Sequence, residues 1–83
     1  MIRLIVFASR DARDFVGARE LARTVGARFV DRLTADLEEL RLVARYGVVE
    51  AVVIVGLRGD EVVFRIPRVI DADELRAVLQ GLT

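Results

Sequence analysis

The sequence predicts an α/β fold with seven elements in the order β-α-β-α-β-β-α. The chain begins with an almost continuous apolar run of strand-forming residues, typical of a strand buried on both faces of a sheet. Three later segments repeat apolar residues at helical spacing, and two β-branched runs joined by a short polar turn lie between the last two helices. Because this hairpin follows the second helix and not the first, the order disfavours a ferredoxin-like fold.

Residues 2–8 predict the first strand, a central parallel one, and residues 12–25 predict the first helix. The apolar positions that define this helix are Phe15, Ala18, Leu21, Ala22 and Val25. We expect the Asp11 carboxylate to cap its first turn, and Gly26 to end it in the left-handed conformation.

The second strand begins at Phe29 and Val30, and a second helix follows it. Asp36 and Glu39 form a capping-box pair, with Thr34 as a competing N-cap. The apolar stripe of this helix is predicted at Leu37, Leu40, Val43 and Ala44.

The second helix is expected to stop at Tyr46-Gly47, and the third strand to span residues 48–56. A turn at residues 57–60 then leads into a fourth strand from Glu61. In that strand Val62, Phe64 and Ile66 are predicted to point inward, and Glu61, Val63 and Arg65 outward.

Pro67 cannot donate to a β-ladder, so it places the fourth strand at a sheet edge or ends it. Asp71 and Glu74 form a second capping-box pair that opens the last helix. The stripe of this helix is Leu75, Val78, Leu79 and Leu82.

Composition excludes several function classes. The chain has 83 residues, 54% of them hydrophobic, and we expect residues 1–83 to form one domain. It contains no cysteine and no histidine, which excludes disulfide, thiol, zinc and haem chemistry. The few hydroxyls also lack their usual histidine base. We therefore predict no enzyme, no catalytic residue, no cofactor and no metal site, and interpret the acidic group Asp71, Asp73 and Glu74 as helix capping.

Three short motifs carry a family resemblance: Phe7-Ala8-Ser9 before the first helix, Tyr46-Gly47-Val48 after the second, and Gly59-Asp60-Glu61 at the hairpin. In this order they resemble the short form of the thioredoxin/glutaredoxin superfamily, over nearly the whole chain. The resemblance implies a thioredoxin-like, four-stranded mixed sheet with helices on both faces. The first two strands would be parallel, and the hairpin antiparallel to them.

The chain departs from that family at its functional positions. Ala12 and Phe15 stand where the family has the two cysteines of Cys-x-x-Cys, and Val52 stands near the position of its cis-proline. We expect a trans bond before Val52, since cis is costly for a non-proline residue. Arg68-Val69-Ile70 replaces the small residues that glutaredoxins use to hold glutathione. The resemblance together with these departures implies a redox-inactive thioredoxin-like module. We expect such a module to bind a protein or peptide.

The candidate binding residues lie around the former redox position and are Ser9, Arg10, Ala12, Arg13, Phe15, Ala51 and Val52. A helix N-terminus with nearby arginines suits an anion, although Asp11 and Asp14 compete for the same donors. For Phe15, core packing is favoured over an exposed anchor.

An alternative function also follows from the fold resemblance. The N-terminal domains of glutathione transferases share this fold, and some place a serine hydroxyl where Ser9 stands. The chain would then bind glutathione. That family's acidic residue–serine pair before the last helix is absent, since this chain has Ile70-Asp71-Ala72.

The expected partner is a protein or peptide of unknown identity. We also expect a homodimer, formed through the edge strand or through the helix face near Phe15. Nucleic acid is not an expected partner, because net charge is zero and no exposed aromatics are interleaved with the arginines. No apolar run spans a bilayer and no signal segment is evident, so we expect a soluble cytoplasmic protein without membrane contact.

Overall fold

The computed structural model describes residues 1–82, and the seven elements occur in the predicted order. They are β1 (Ile2–Ala8), α1 (Phe15–Val25), β2 (Arg28–Asp31), α2 (Leu37–Arg45), β3 (Val52–Arg58), β4 (Glu61–Ile66) and α3 (Ala72–Gly81). No helix in this part of the chain is long and apolar enough to cross a membrane.

The four strands form one mixed sheet in the order β2-β1-β3-β4. β1 is parallel to β2 and antiparallel to β3, and β4 is antiparallel to β3. The mixed sheet implied by the family resemblance is therefore confirmed. β1 and β3 are the central strands, and their pairing extends from Ile2 opposite Arg58 to Ala8 opposite Val52.

Two hydrophobic cores lie on opposite faces of the sheet. In β1, Val6 and Ala8 point into the core beneath α1 and α3, whereas Ile5 and Phe7 point into the core beneath α2. Because successive strand residues face opposite sides, a strand covered on both faces must be apolar throughout. This explains the apolar run that opens the sequence.

The first helix is shorter than predicted. It begins at Phe15, not at residue 12, and its N-cap residue is Asp14, which makes no side-chain capping bond. Asp11 does not cap the helix, because its carboxylate accepts a hydrogen bond from the Ser9 hydroxyl instead. The C-terminal prediction is confirmed, since Gly26 has φ +71° and its N–H bonds back to the last turn.

The capping box of α2 is confirmed, but its buried face is not the predicted one. The Asp36 carboxylate accepts from the Glu39 N–H at 2.8 Å, and the Asp36 N–H donates to the Glu39 carboxylate at 3.2 Å, so Thr34 is not the cap. The residues that pack on the core are Leu42 and Val43. Of the predicted stripe only Val43 is among them, while Leu37, Leu40 and Ala44 are exposed. The sequence of α2 has apolar residues on two of its faces. The buried face is the one with Leu42 and Val43, which pack on the same core as buried Tyr46.

The third strand begins at Val52 and not at residue 48. Residues 48–51 form a loop, in which the Glu50 carboxylate accepts hydrogen bonds from Arg65 of β4. At its other end β3 continues to Arg58, which leaves Gly59-Asp60 as the turn. Gly59 has φ +62°, a left-handed conformation that favours glycine.

The predicted alternation in β4 is confirmed for Phe64 and Ile66, which pack against the core of α1 and α3, but it fails at Val62 and Val63, where the strand contains a β-bulge. Leu57 pairs with Val62 while Gly56 pairs with Phe64, so Val63 is an extra residue between two ladder positions. Val62 is consequently 38% exposed instead of buried. The edge position of β4 and its end before Pro67 are confirmed.

The last helix begins as predicted at Asp71, but with a single N-cap bond in place of the predicted capping box. The Asp71 carboxylate accepts from the Glu74 N–H at 2.8 Å. Leu75 is fully buried, and Val78, Leu79 and Leu82 are half-buried.

Gly56→Ala should destabilise the protein. A methyl group at this position would lie 2.2 Å from the Phe64 ring, far inside van der Waals contact. The ring must shift within the core, and we expect the free energy of unfolding to fall by about 1–3 kcal/mol. Denaturant unfolding measures this. Gly81→Ala is the matched control, because it points into open space within α3 and should raise stability by up to about 1 kcal/mol. Equal effects of the two substitutions would contradict the close packing of Phe64 on Gly56.

Candidate functional site

A cleft of about 500 Å³ opens at the C-terminal ends of β1 and β2. The loop after β1 forms one wall, the loop after β2 forms a second, and α2 forms the third. The lining residues are Ser9, Arg10, Asp11, Arg32, Leu33, Leu40 and Val43. We take this cleft as the candidate functional site.

Backbone hydrogen bonds hold the loops together at the end of β1. The Ser9 N–H donates to the Ala51 carbonyl at 2.8 Å, and the Arg32 N–H donates to the Ala8 carbonyl at 3.0 Å. Three chain segments, the ones that follow β1 and β2 and the one that precedes β3, therefore meet at one point. The cleft is built from residues far apart in sequence.

The Ser9 hydroxyl is already bonded within its own loop. It donates to the Asp11 carboxylate, and this hydrogen bond is the main reason that the pKa of Asp11 lies below its ordinary value. The hydroxyl hydrogen is thus engaged with Asp11 and not with the interior of the cleft.

Arg10 is tied to the end of β2. Its Nε donates to the Asp31 carboxylate at 2.7 Å, and the other Asp31 oxygen accepts from the Leu33 N–H at 3.0 Å. Partial burial alone would raise the pKa of Asp31, but the hydrogen bonds from Arg10 and Leu33 outweigh it and hold the pKa below its ordinary value. One carboxylate thereby fixes both Arg10 and the turn that presents Leu33.

A second arginine–carboxylate pair anchors the loop before β3. Arg65 Nη2 donates to both Glu50 carboxylate oxygens, at 2.9 and 3.0 Å, and Arg65 Nη1 donates to the Tyr46 carbonyl. The bonds from Arg65 are the largest cause of the lowered pKa of Glu50. Arg32 Nη1 donates to the Glu50 carbonyl at 3.0 Å, which connects this loop to the cleft wall.

Large apolar side chains are exposed beside this polar framework. Leu33 is 71% exposed, Leu37 64% and Leu40 48%. Leu33 and Leu40 line the cleft, and Leu37 lies one helical turn before Leu40 on α2. We call Leu33, Leu37 and Leu40 together the α2 patch.

Solved structures with the same architecture include two thioredoxins. A malarial protein aligns over 98% of this chain and 96% of its own length, with a TM-score of 0.68 and 11% identity. Thioredoxin-2 of a malaria parasite aligns over 98% of this chain and 82% of its own length, with a TM-score of 0.67 and 14% identity. Thioredoxin f2 of Chlamydomonas reinhardtii aligns over 99% and 79%, with a TM-score of 0.61 and 13% identity. This chain has a thioredoxin-like fold. No family model matches its sequence, and a search of curated proteins finds no significant relative.

The thioredoxin-like fold carries no thiol here, since the sequence has no cysteine. Ala12 and Phe15, at the cysteine positions, pack against the core of α1 and α3. The Phe15 ring meets Phe29 edge-on at 5.6 Å, and the Arg19 guanidinium lies over it at 5.8 Å. These two candidate residues are therefore on the opposite side of the sheet from α2.

The other candidate residues are divided between surface and core. Ser9 and Arg10 line the cleft, and Arg13 is exposed on the loop before α1. Ala51 is exposed and contributes its carbonyl to the bond with Ser9, whereas Val52 is buried and follows a trans peptide bond.

Sequence reasoning missed most of the cleft lining, namely Asp11, Arg32, Leu33, Leu40 and Val43. One signal was available, because α2 has apolar residues on more sides than a helix covering one sheet face needs. Within residues 1–82, no group of three acidic side chains is placed to hold a metal ion. Hydroxyl, guanidinium and carboxylate groups beside leucines can form hydrogen bonds and apolar contacts with a ligand.

Glu50→Gln should lower stability at neutral pH. The pKa of Glu50 is depressed in the folded state, so its contribution is present above the unfolded-state pKa and is lost as pH falls through the folded-state pKa. We expect the variant to unfold at lower denaturant than the parent at pH 7, and the difference to narrow towards pH 3. Glu61→Gln, at an exposed carboxylate at the start of β4, is the control and should match the parent throughout. A Glu50→Gln deficit that persists unchanged in acid would contradict the role of the Arg65 pair.

Proposed function

We propose that this chain is a redox-inactive thioredoxin-like module that binds a protein or peptide at the cleft and the α2 patch. Thiol–disulfide exchange needs a thiolate, and the sequence provides none. The observation that carries the binding proposal is the exposure of three leucines beside a cleft with fixed polar walls.

The arrangement of the surface supports protein binding. Exposed large apolar residues grouped at one place are unusual on a monomer and mark interaction sites. Arg10, Asp11 and Arg32 border the leucines, which gives the apolar centre and polar rim of a protein interface. Arg10 and Arg32 are already held by Asp31 and by the Glu50 carbonyl, so little side-chain entropy is lost when a partner contacts them.

The position of Leu37 favours a polypeptide over a small molecule. Leu37 is outside the cleft, on the outer surface of α2, while Leu40 lies at the cleft wall. A ligand that covers both must extend beyond the cleft along the helix. A peptide or a protein surface is long enough to cover both leucines.

A peptide library displayed on phage and selected against the purified chain tests the proposal. We expect enriched peptides with apolar residues that bind the parent chain in calorimetry. Leu40→Glu should weaken that binding at least about tenfold, because it places a charge at the centre of an apolar contact.

Val16→Glu is the matched control. Val16 is 59% exposed on α1, away from the cleft, so the substitution adds the same charge without touching the site. Binding by the control should equal that of the parent. Equal losses in Leu40→Glu and Val16→Glu would overturn the proposed function, and so would failure to enrich any peptide if no protein binds at the α2 patch either.

A further inference from the structure

The outward side of α2 carries an apolar stripe that no other part of residues 1–82 covers. Leu37, Leu40 and Ala44 are exposed and spaced three and four residues apart, which places them along one side of the helix. Leu42 and Val43 occupy the opposite side, against the sheet. α2 is therefore apolar both towards the core and towards solvent.

Two opposite charges border this stripe on one side. Glu38 and Arg45 are seven residues apart, about two helical turns, so they lie on the same side of α2 near its two ends. Both are exposed, and their pairs within the chain are long, at 3.7 Å from Glu38 to Arg28 and 3.5 Å from Arg45 to Asp60. Such exposed pairs contribute little stability and exchange partners at little cost.

We propose that the protein partner of the α2 patch is a second copy of this chain, packed with its α2 antiparallel about a two-fold axis. Glu38 then faces the partner's Arg45, and Arg45 faces the partner's Glu38. This inference rests on the proposed function, because it names the partner of the surface assigned there.

The charge order selects the antiparallel arrangement. In an antiparallel helix pair, corresponding sides meet with their order reversed, so the acidic end of one stripe meets the basic end of the other. A two-fold axis produces both contacts at once, since each surface is its own complement. In a parallel pair, the Glu38–Arg45 side would face the opposite side of the partner helix, and these charges would not meet.

The edge strand β4 is a less favourable surface for a dimer. Its β-bulge disrupts the ladder at Val63, Pro67 follows its end, and Arg65 is engaged with Glu50. β-Bulges and prolines hinder the pairing of an edge strand with a strand of another molecule. The leucines of α2 have no comparable protection.

The contact is small, so the dimer should form only at high concentration. α2 has nine residues, and an interface of one short helix is well below the size of a standard stable complex. Sedimentation equilibrium of the full chain should show a mass near 9.3 kDa when dilute that rises towards twice this value in concentrated solution.

Substitutions at the leucine stripe form the first part of the test. Leu37→Glu should hold the chain at 9.3 kDa at every concentration, while Val16→Glu should associate like the parent. Loss of association in both variants alike would overturn the proposal, because Val16 is on α1.

Charge reversal forms the second part. Glu38→Arg and Arg45→Glu should each weaken association about tenfold, because each replaces two attractive contacts by two repulsive ones. The double variant should restore it, because its charges match again across the axis. As a control, Asp73→Arg and Arg76→Glu alter an exposed pair of the same kind on α3, and neither should change association.

A substitution at Arg41 should strengthen association, in contrast to the charge reversals. It is exposed near the middle of α2, so its two copies approach each other beside the axis. Arg41→Gln removes this like-charge repulsion and should strengthen association about twofold. Weaker association in this variant would contradict the antiparallel arrangement.

The outcomes separate this inference from the proposed function. A chain that stays monomeric, or a double reversal that fails to restore association, overturns the dimer. If selected peptides still bind such a chain and lose affinity in Leu40→Glu, the proposed function stands with a different partner. If neither peptides nor a second copy bind, both are overturned.

Discussion

The antiparallel pairing of β1 with β3 extends over the full length of both strands, from Ile2 opposite Arg58 to Ala8 opposite Val52. Side chains along this pair alternate between the two cores, so its register decides which residues contact α1 and α3 and which contact α2. The same register sets where the strands end. Because Ala8 is opposite Val52, the Ser9 N–H reaches the Ala51 carbonyl, and the parallel β2 places Arg32 at the Ala8 carbonyl. The cleft is a direct consequence of this register.

The corner of the sheet that carries the cleft is organised by arginine–carboxylate pairs. Asp31 holds Arg10, and Glu50 is bound by Arg65 through both carboxylate oxygens. Arg10 bonds through Nε and Arg65 through Nη2, and charge-assisted hydrogen bonds of this kind are stronger than neutral ones. Polar side chains here are thus bonded to the protein itself, and the thioredoxin-like scaffold contains no cysteine. Exposed apolar side chains beside these pairs lie on α2 and the turn before it, and at Val49 in the loop before β3.

Local signals predicted the order of elements and several helix ends, because the groups involved are close in sequence. Asp36 and Glu39 are one turn apart, and Gly26 ends α1 by its own conformation. The errors arose where distant residues decide the structure. Glu50, in the loop before β3, bonds to Arg65 on β4, and the Phe64 ring over Gly56 accompanies a bulge that no periodicity indicates. Most of the cleft was missed for the same reason, since its walls come from three separate segments.

The central claim is that the outer face of α2 is the protein-binding surface of this molecule. Amide chemical shifts of the ¹⁵N-labelled chain, recorded from dilute to concentrated solution, test it most directly because they report every surface at once. The account predicts concentration-dependent shifts confined to residues 33–46 and the cleft rim, with β4 and the α1–α3 side unchanged. Shifts centred on β4 or around Phe15, with α2 unaffected, would contradict it, and the absence of any concentration-dependent shift would overturn a second copy as the partner.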